Sequence, residues 1–189
     1  MANEFQQGPQ VPPQQPMGPQ PGFQPQGAGT PMVDFMTAVK RGIAGLTKFE
    51  GRSRRSEYWW FALVVGVVTG ILASIFRNMA IEAAWKDVFS GGNSSFIWDL
   101  IWRLIYLCGF GCMLAVNIRR LNDAGKPAVI AWIGLGCTAG GLILGLLSGW
   151  LGAILLIVGS IVSIVNFIFC VMDSQRGPNE FGPSEKYPM

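Results

Sequence analysis

The 189-residue sequence contains no histidine and carries few charged side chains. Charged residues make up 13% of the chain, whereas soluble globular domains carry about 25%. Without histidine, the side chain most suited to acid–base chemistry near neutral pH is missing, and so is the commonest metal ligand. The sequence also has no serine nucleophile motif, no phosphate-binding loop and no carboxylate pair on one helix face. We therefore expect a protein that is not an enzyme, with no catalytic residues, no metal site and no cofactor.

The scarcity of charge is concentrated in long apolar stretches. No charged residue lies between Ala128 and Met172. About 20 apolar residues in a helix cross the roughly 30 Å hydrocarbon core of a bilayer. The sequence therefore predicts an all-α integral membrane protein, folded as a bundle of four transmembrane helices, rather than a soluble protein with an unusually hydrophobic core. The predicted spans cover about residues 58–76, 96–118, 128–147 and 150–172.

The division between the third and fourth spans rests on Ser148, Gly149 and Trp150. The uncharged stretch is too long for one crossing, and tryptophan favours the membrane interface. We expect a tight hairpin at this position. Re-entrant half-helices are the alternative, because glycine recurs through residues 134–149 and would allow a broken helix.

Two different segments precede the first span. Residues 1–30 hold seven prolines and eight glutamines, a composition that predicts a disordered tail, either a docking peptide or a solvated leader. Over residues 33–49, apolar side chains recur at helical spacing with basic residues between them. This pattern is typical of an amphipathic helix in the headgroup region. The membrane domain would then cover residues 33–185, with a cytoplasmic tail over residues 173–189.

Basic residues are distributed unevenly between the two sides of the predicted bundle. Four spans place both termini and the loop after the second span on one side, which carries eleven Lys and Arg residues. The other side carries Arg77 and Lys86, with Arg103 just inside the membrane. Since short cytoplasmic loops retain basic residues, we expect both termini in the cytoplasm. The membrane boundary accounts for these residues, so we expect no nucleic-acid binding.

Charged residues near the span ends form two candidate sites. On the cytoplasmic side, we expect Asp123 or Glu57 to pair with Arg52 or Arg55, with separate solvated charges as the alternative. Any arginine left unpaired would contribute to a basic pocket for an anionic lipid headgroup. This first cluster comprises Arg52, Arg55, Glu57, Arg119, Arg120 and Asp123. The second site is Asp99 with Arg103, which share a helix face and form either an outer-leaflet ion pair or the mouth of a polar pathway.

Glycines spaced four residues apart mark candidate helix contacts. Gly66 and Gly70 lie in the first span, and Gly141 and Gly145 lie in the third. Small residues at this spacing let transmembrane helices approach closely. We therefore expect the first and third spans to pack tightly, either within one bundle or between copies.

Three short motifs resemble those of a known family. They are FEGRSRRSEYW (49–59), RRLNDAGK (119–126) and GPNEFGP (177–183). They are similar to the entry motif, the RRLHD-type second signature and the closing motif of domain-of-unknown-function family 805 (DUF805). The resemblance covers about residues 33–185 and implies a small, multi-pass protein of the bacterial inner membrane without an established activity. Asn122 stands where that family usually has histidine, which argues against a proton relay or metal at this position.

These features favour a non-catalytic scaffold or interaction protein with a basic, lipid-facing cytoplasmic surface. Its expected partners are the lipid bilayer, anionic lipid headgroups, and a second copy or another membrane protein. The alternative is a small transporter, channel or accessory subunit, which would work as an oligomer because four spans enclose little lumen.

Overall fold

Helices form nearly all of the regular structure. The computed structural model describes residues 31–187, and that part of the chain contains five helices. They are α1 (Phe35–Ala44), α2 (Arg55–Ser90), α3 (Ser95–Asp123), α4 (Val129–Leu147) and α5 (Gly149–Val171). Helices α2 to α5 are each long and apolar enough to cross a membrane. The prediction of an all-α membrane protein with four transmembrane helices is confirmed, whereas the predicted tail over residues 1–30 lies outside the described residues.

The helix that precedes the first span is shorter than the predicted range of 33–49. It begins after Asp34, whose carboxylate caps the helix by accepting a hydrogen bond from the Thr37 backbone N–H at 3.0 Å. It ends at Gly45, because glycine has a low helix propensity. Gly51, with a φ of +88°, then turns the chain into α2. The Phe61 ring of α2 packs directly over Gly42, where any side chain would overlap it.

Helix α2 extends well past the predicted end of the first span. The apolar run ends near Phe76, but the helix continues to Ser90. Its 36 residues correspond to about 54 Å, much more than the roughly 30 Å of hydrocarbon. The charged residues after Phe76 are compatible with a helix, which stops only at Gly91, where φ is +68°. The loss of hydrophobicity after Phe76 therefore does not coincide with the end of the helix.

The four long helices form two hairpins that meet along α3. Helix α2 packs against α3, and α4 packs against α5. Helix α3 also contacts α4 and, less extensively, α5, while α1 packs on α2. The first and last spans approach each other at Trp59 and Phe167, whose ring centroids are 5.5 Å apart. The buried apolar core includes Phe61, Leu121 and Cys170.

The third and fourth spans are separate, continuous helices joined by a tight turn. Ser148 has an extended backbone and separates α4 from α5. Its N–H donates to the Leu144 carbonyl at 2.7 Å, and its own carbonyl accepts from the Gly152 N–H at 3.1 Å. These helices contain 19 and 23 residues, enough for full spans, so the structure contains a hairpin rather than re-entrant half-helices.

The glycines that the sequence singles out divide into two groups. Gly141 faces α5, where its Cβ would lie 2.8 Å from Leu156, and the backbone of Gly145 also approaches α5, because a Cβ at Gly152 would lie 2.5 Å from the Gly145 Cα. Gly66 and Gly70 are exposed, and no atom lies within 4 Å of the place where their Cβ would be. Within the described residues of one copy, the structure thus shows no close contact between the glycines of the first and third spans, and a contact between copies stays a prediction. The reason is that α3 covers one face of α2, while α5 takes the glycine face of α4.

Candidate functional site

One end of the molecule brings together three segments that are distant in sequence. We call it the basic end, formed by residues 31–57, 119–128 and 172–187; residues 87–103 and 142–152 form the opposite end. Backbone hydrogen bonds join the segments: Ser53 N–H donates to the Arg119 carbonyl at 3.1 Å, and Gln175 N–H donates to the Asp123 carbonyl at 2.8 Å. The three sequence motifs therefore meet at the basic end.

A single buried aspartate lies at the centre of this end. Arg52 Nε donates to one oxygen of Asp123 at 2.9 Å, and Arg120 Nη1 donates to the other at 2.5 Å. The Ser174 hydroxyl donates to the same oxygen as Arg120. Each of the three charged side chains is at most 2% exposed. Two guanidinium groups thus share one carboxylate in an environment that excludes water.

Backbone carbonyls supply the remaining acceptors for the two arginines. Arg52 donates to the carbonyls of Gln175 at 2.6 Å and Gly177 at 2.9 Å. Arg120 donates to the carbonyls of Cys170, at 3.1 Å, and Met172. Enclosing charges is costly unless hydrogen bonds satisfy them. This buried network, comprising Arg52, Arg120, Asp123 and the carbonyls that they bind, therefore fixes the C-terminal segment to the start of α2 and the end of α3.

The asparagines of the second and third motifs extend the network. Asn179 Nδ2 donates to the Asn122 carbonyl at 3.0 Å, and Asn122 Nδ2 donates to the Gly51 carbonyl at 3.3 Å. The sequence does not identify Ser174, Gln175 or Asn179 as members of this network, in which they bind Asp123, Arg52 and Asn122, respectively. The closing motif is the one feature of the sequence that points to this segment, and a motif does not show which of its carbonyls accepts a hydrogen bond.

The other residues of the predicted cluster lie around the network. Arg55 pairs with Asp173 at 3.1 Å on the exposed surface. Glu57 is 3% exposed and has Arg41 at 3.9 Å. Arg119 is half-buried and makes no ion pair with any residue of 31–187. The structure thus brings Arg52, Arg120 and Asp123 together and leaves Arg119 apart.

Asp173 anchors the end of the C-terminal segment at the surface. It accepts hydrogen bonds from Lys186 Nζ, at 2.7 Å to one oxygen, and from the Tyr187 hydroxyl at 3.0 Å. Burial raises the pKa of Asp173, but hydrogen bonds from Lys186, the Ser174 N–H and Tyr187 outweigh it. Its pKa therefore lies well below the ordinary value, and the carboxylate is charged at neutral pH.

The opposite end holds the second candidate pair. Arg103 Nε donates to Asp99 at 2.8 Å, and the two side chains are 17% and 29% exposed. Trp102 Nε1 donates to the other oxygen of Asp99 at 2.8 Å. Arg103 also donates to the Leu142 carbonyl at 2.8 Å, so this ion pair links α3 to α4.

Two cavities flank the α2–α3 hairpin. A cavity of about 410 Å³ opens between α2, α3 and α5 and includes Tyr58, Asn117 and Asn166 among its lining residues. A second cavity, of about 400 Å³, lies between α1, α2 and α3 and is lined almost entirely by apolar side chains. No group of three or more His, Cys, Asp or Glu side chains within residues 31–187 could hold a metal ion.

The chain is similar to small membrane proteins of Escherichia coli. It is 26% identical to inner membrane protein YhaI of strain K12 over 139 residues, which cover 74% of this chain and 86% of the relative. It is also 26% identical to inner membrane protein YhaH of that strain over 154 residues, or 82% of this chain and 98% of the relative. No solved structure matches the chain.

Residues 46–183 match the family described as "Protein of unknown function (DUF805)". The matched region contains all three motifs and the four transmembrane helices. It also includes every residue of the buried network. The chain belongs to the DUF805 family.

Proposed function

We propose that this integral membrane protein is a non-catalytic scaffold of the inner membrane, with its basic end in the cytoplasm as a docking surface for lipids and a membrane-protein partner. The observation that carries this proposal is the buried network. It fixes three separate segments in one rigid arrangement, and it uses the charges of Arg52, Arg120 and Asp123 internally. Such an arrangement supports a surface of defined shape and leaves those groups no role in acid–base chemistry or ion conduction.

The basic end also carries exposed basic residues. They include Lys40, Lys48 and Arg176. Each basic residue near an anionic leaflet contributes about 1 kcal/mol of attraction. The excess of basic residues at this end over the opposite end supports a cytoplasmic orientation. The same excess would hold the docking surface close to the inner leaflet.

The orientation is tested with reporters fused after Arg120 and after Arg176, each active on one side of the membrane only. We expect both reporters to be cytoplasmic. A reporter on the outer side of the membrane would overturn the proposed function.

The docking role is tested by purification in mild detergent, followed by mass spectrometry of the proteins and lipids that accompany the chain. The test variant carries Lys40→Gln, Lys48→Gln and Arg176→Gln, which change exposed residues outside the buried network. The control variant carries Arg77→Gln and Lys86→Gln, which lie away from the basic end. We expect the first variant to lose bound anionic lipid or a protein partner and the control to keep them. Equal losses in both variants would contradict the proposal.

The second candidate is a small transporter or an accessory subunit of one. The observation that favours it is the cavity of about 410 Å³ whose lining includes polar side chains from α3 and α5. Within it, Asn166 Nδ2 donates to Asn117 Oδ1 at 3.2 Å, so amide groups meet inside the bundle. Solute flux into proteoliposomes that is lost in Asn117→Leu or Asp99→Asn would favour the transporter over the scaffold.

A further inference from the structure

The apolar cavity beneath α1 is a groove that runs from the basic end into the membrane. Its lining includes Ile43 of α1 and Leu46, which follows that helix. It also includes Phe61 and Leu72 of α2, and Cys108 and Cys112 of α3. The groove has a volume of about 400 Å³. Such a surface suits a hydrocarbon chain, because it offers almost no hydrogen-bonding group.

The length of the groove matches one leaflet of the bilayer. On α2, the lining extends from Phe61 to Leu72, which is about 16 Å along a helix with a rise of 1.5 Å per residue. The hydrocarbon core is about 30 Å thick, so one leaflet contributes roughly half of that. The groove therefore reaches from the interface at the basic end to about the bilayer midplane.

Arg119 stands at the mouth of this groove. It follows Cys108 and Cys112 on the same face of α3, since positions 108, 112 and 119 repeat at helical spacing. Its guanidinium packs against Gly45, because a Cβ at Gly45 would be 2.6 Å from both terminal nitrogens of Arg119. In the sequence, Gly45 lies between Ile43 and Leu46, which both line the groove. One cation is thus placed where the apolar groove meets the headgroup region.

The charge of Arg119 is not neutralised by a direct contact within the described part of the chain. Its Nε and Nη2 are enclosed and make no hydrogen bond there. Glu57 acts on Arg119 electrostatically without forming an ion pair with it, and the Glu57 carboxylate also lies 3.9 Å from Arg41. Lys48 adds an exposed cation in the turn after α1, where its N–H donates to the Gly45 carbonyl at 3.1 Å.

We propose that this groove binds an anionic phospholipid from the leaflet at the basic end, with an acyl chain along Phe61, Leu72 and Cys108 and the phosphate at Arg119. The proposal deepens the proposed function, and it rests on that function for the identity of the leaflet. A phospholipid matches both halves of the site, because its chain is apolar and its headgroup is negative. A free phosphate would fill only the mouth, and an apolar helix from a second copy would offer Arg119 no hydrogen-bond acceptor.

The site is tested with the full chain reconstituted in vesicles of equal parts phosphatidylglycerol and phosphatidylcholine. A trace of either lipid carries a photoreactive diazirine in the middle of one acyl chain, and the crosslinked peptides are identified by mass spectrometry. We expect phosphatidylglycerol to label the groove faces of α2 and α3 more strongly than phosphatidylcholine. Labelling spread evenly over all four spans would overturn the groove as the site.

Two variants test the phosphate site at Arg119 and the acyl-chain site in the groove separately. Arg119→Gln should lower groove labelling by phosphatidylglycerol about fivefold, the equivalent of about 1 kcal/mol, and should leave phosphatidylcholine unchanged. Arg77→Gln, the matched control, should change neither. Cys108→Phe fills the groove at an exposed position and should reduce labelling of this site by both lipids. Unchanged labelling in both Arg119→Gln and Cys108→Phe would overturn the proposal.

Two further results distinguish the possible failures. Inorganic phosphate added as a competitor should not reduce groove labelling by phosphatidylglycerol; loss of labelling would assign Arg119 to free phosphate and overturn the lipid site. If the groove is labelled as expected but the reporters place the basic end outside, the proposed function fails while the phospholipid site stands. If the reporters are cytoplasmic and the groove is not labelled, the phospholipid site alone fails.

Discussion

The basic end and the opposite end each contain an arginine–aspartate pair, but the two pairs differ in their exposure to solvent. At the basic end, Arg52 and Asp123 are at most 2% exposed, and hydrogen bonds satisfy the rest of the guanidinium. At the opposite end, Arg103 and Asp99 are 17% and 29% exposed. A fully enclosed charge is strongly destabilising once its partner is removed, whereas a charge at the protein surface depends less on its partner. We therefore expect the arginine–aspartate pair to contribute much to stability at the basic end and little at the opposite end.

At the opposite end, the backbones of α4 and α5 approach each other closely. Gly145 of α4 and Gly152 of α5 leave no space for a side chain between the helices. Contacts of this kind depend on shape and not on charge, so they are insensitive to salt and pH. Buried ion pairs thus stabilise the basic end, and close backbone packing contributes at the opposite end. Variants at each end can test the two contributions separately.

The largest effect is expected for Asp123→Asn. The substitution keeps the size of the side chain but leaves Arg52 and Arg120 buried without their carboxylate. We expect a loss of about 3–5 kcal/mol in the free energy of unfolding. Thermal unfolding in mild detergent, with size-exclusion chromatography to measure the folded fraction, provides the measurement. Wild-type stability in this variant would show that the network is not the main constraint at the basic end.

An intermediate effect is expected for Gly152→Ala. The new Cβ would lie 2.5 Å from the Gly145 Cα, so α4 and α5 must move apart, at a cost of about 1–3 kcal/mol. Gly66→Ala is the matched control, because its Cβ would meet no side chain and no other helix within 4 Å, and we expect no loss of stability, since alanine favours a helix more than glycine does. Both are measured by thermal unfolding. Equal effects would contradict the assignment of close packing to α4 and α5.

A smaller effect is expected for Asp99→Asn. The pair is partly exposed, so we expect a loss of about 0.5–1 kcal/mol. Because salt screens exposed charges, the difference from wild type should shrink at high salt. Unfolding temperatures at low and high ionic strength provide the test. A loss as large as that of Asp123→Asn would remove the distinction between the two ends.

The smallest effect is expected for Asp173→Asn, since Asp173 lies on the surface of the basic end. The pKa of this carboxyl is lower in the folded protein than its ordinary value. Its contribution is therefore present above about pH 4 and is lost as the pH falls further. We expect wild type and variant to differ slightly at pH 7 and to converge in acid. A difference that grows as the pH falls from 7 to 3 would contradict this role.

The transmembrane helices could be predicted because the bilayer imposes a simple requirement of length and apolarity. The pairing of Asp123 with Arg52 is one of the combinations that the sequence suggests. The sequence could not show that Arg119 stays outside the buried network while Arg120 joins it, because the two residues are adjacent. They point in different directions on α3, one towards Gly45 and the other towards Asp123. Successive residues on a helix face different neighbours, and only the packing identifies those neighbours.

The sequence alone determined the number of spans, the uneven distribution of basic residues and the family. These properties depend on local composition and on short motifs, and both are visible in the sequence itself. The tertiary structure decided that the C-terminal segment encloses Arg52 and Arg120, and that the glycines of α4 pack against α5 rather than α2. It also decided that α2 continues beyond the apolar run. Contacts between distant segments depend on how whole helices pack, and local sequence does not determine that arrangement.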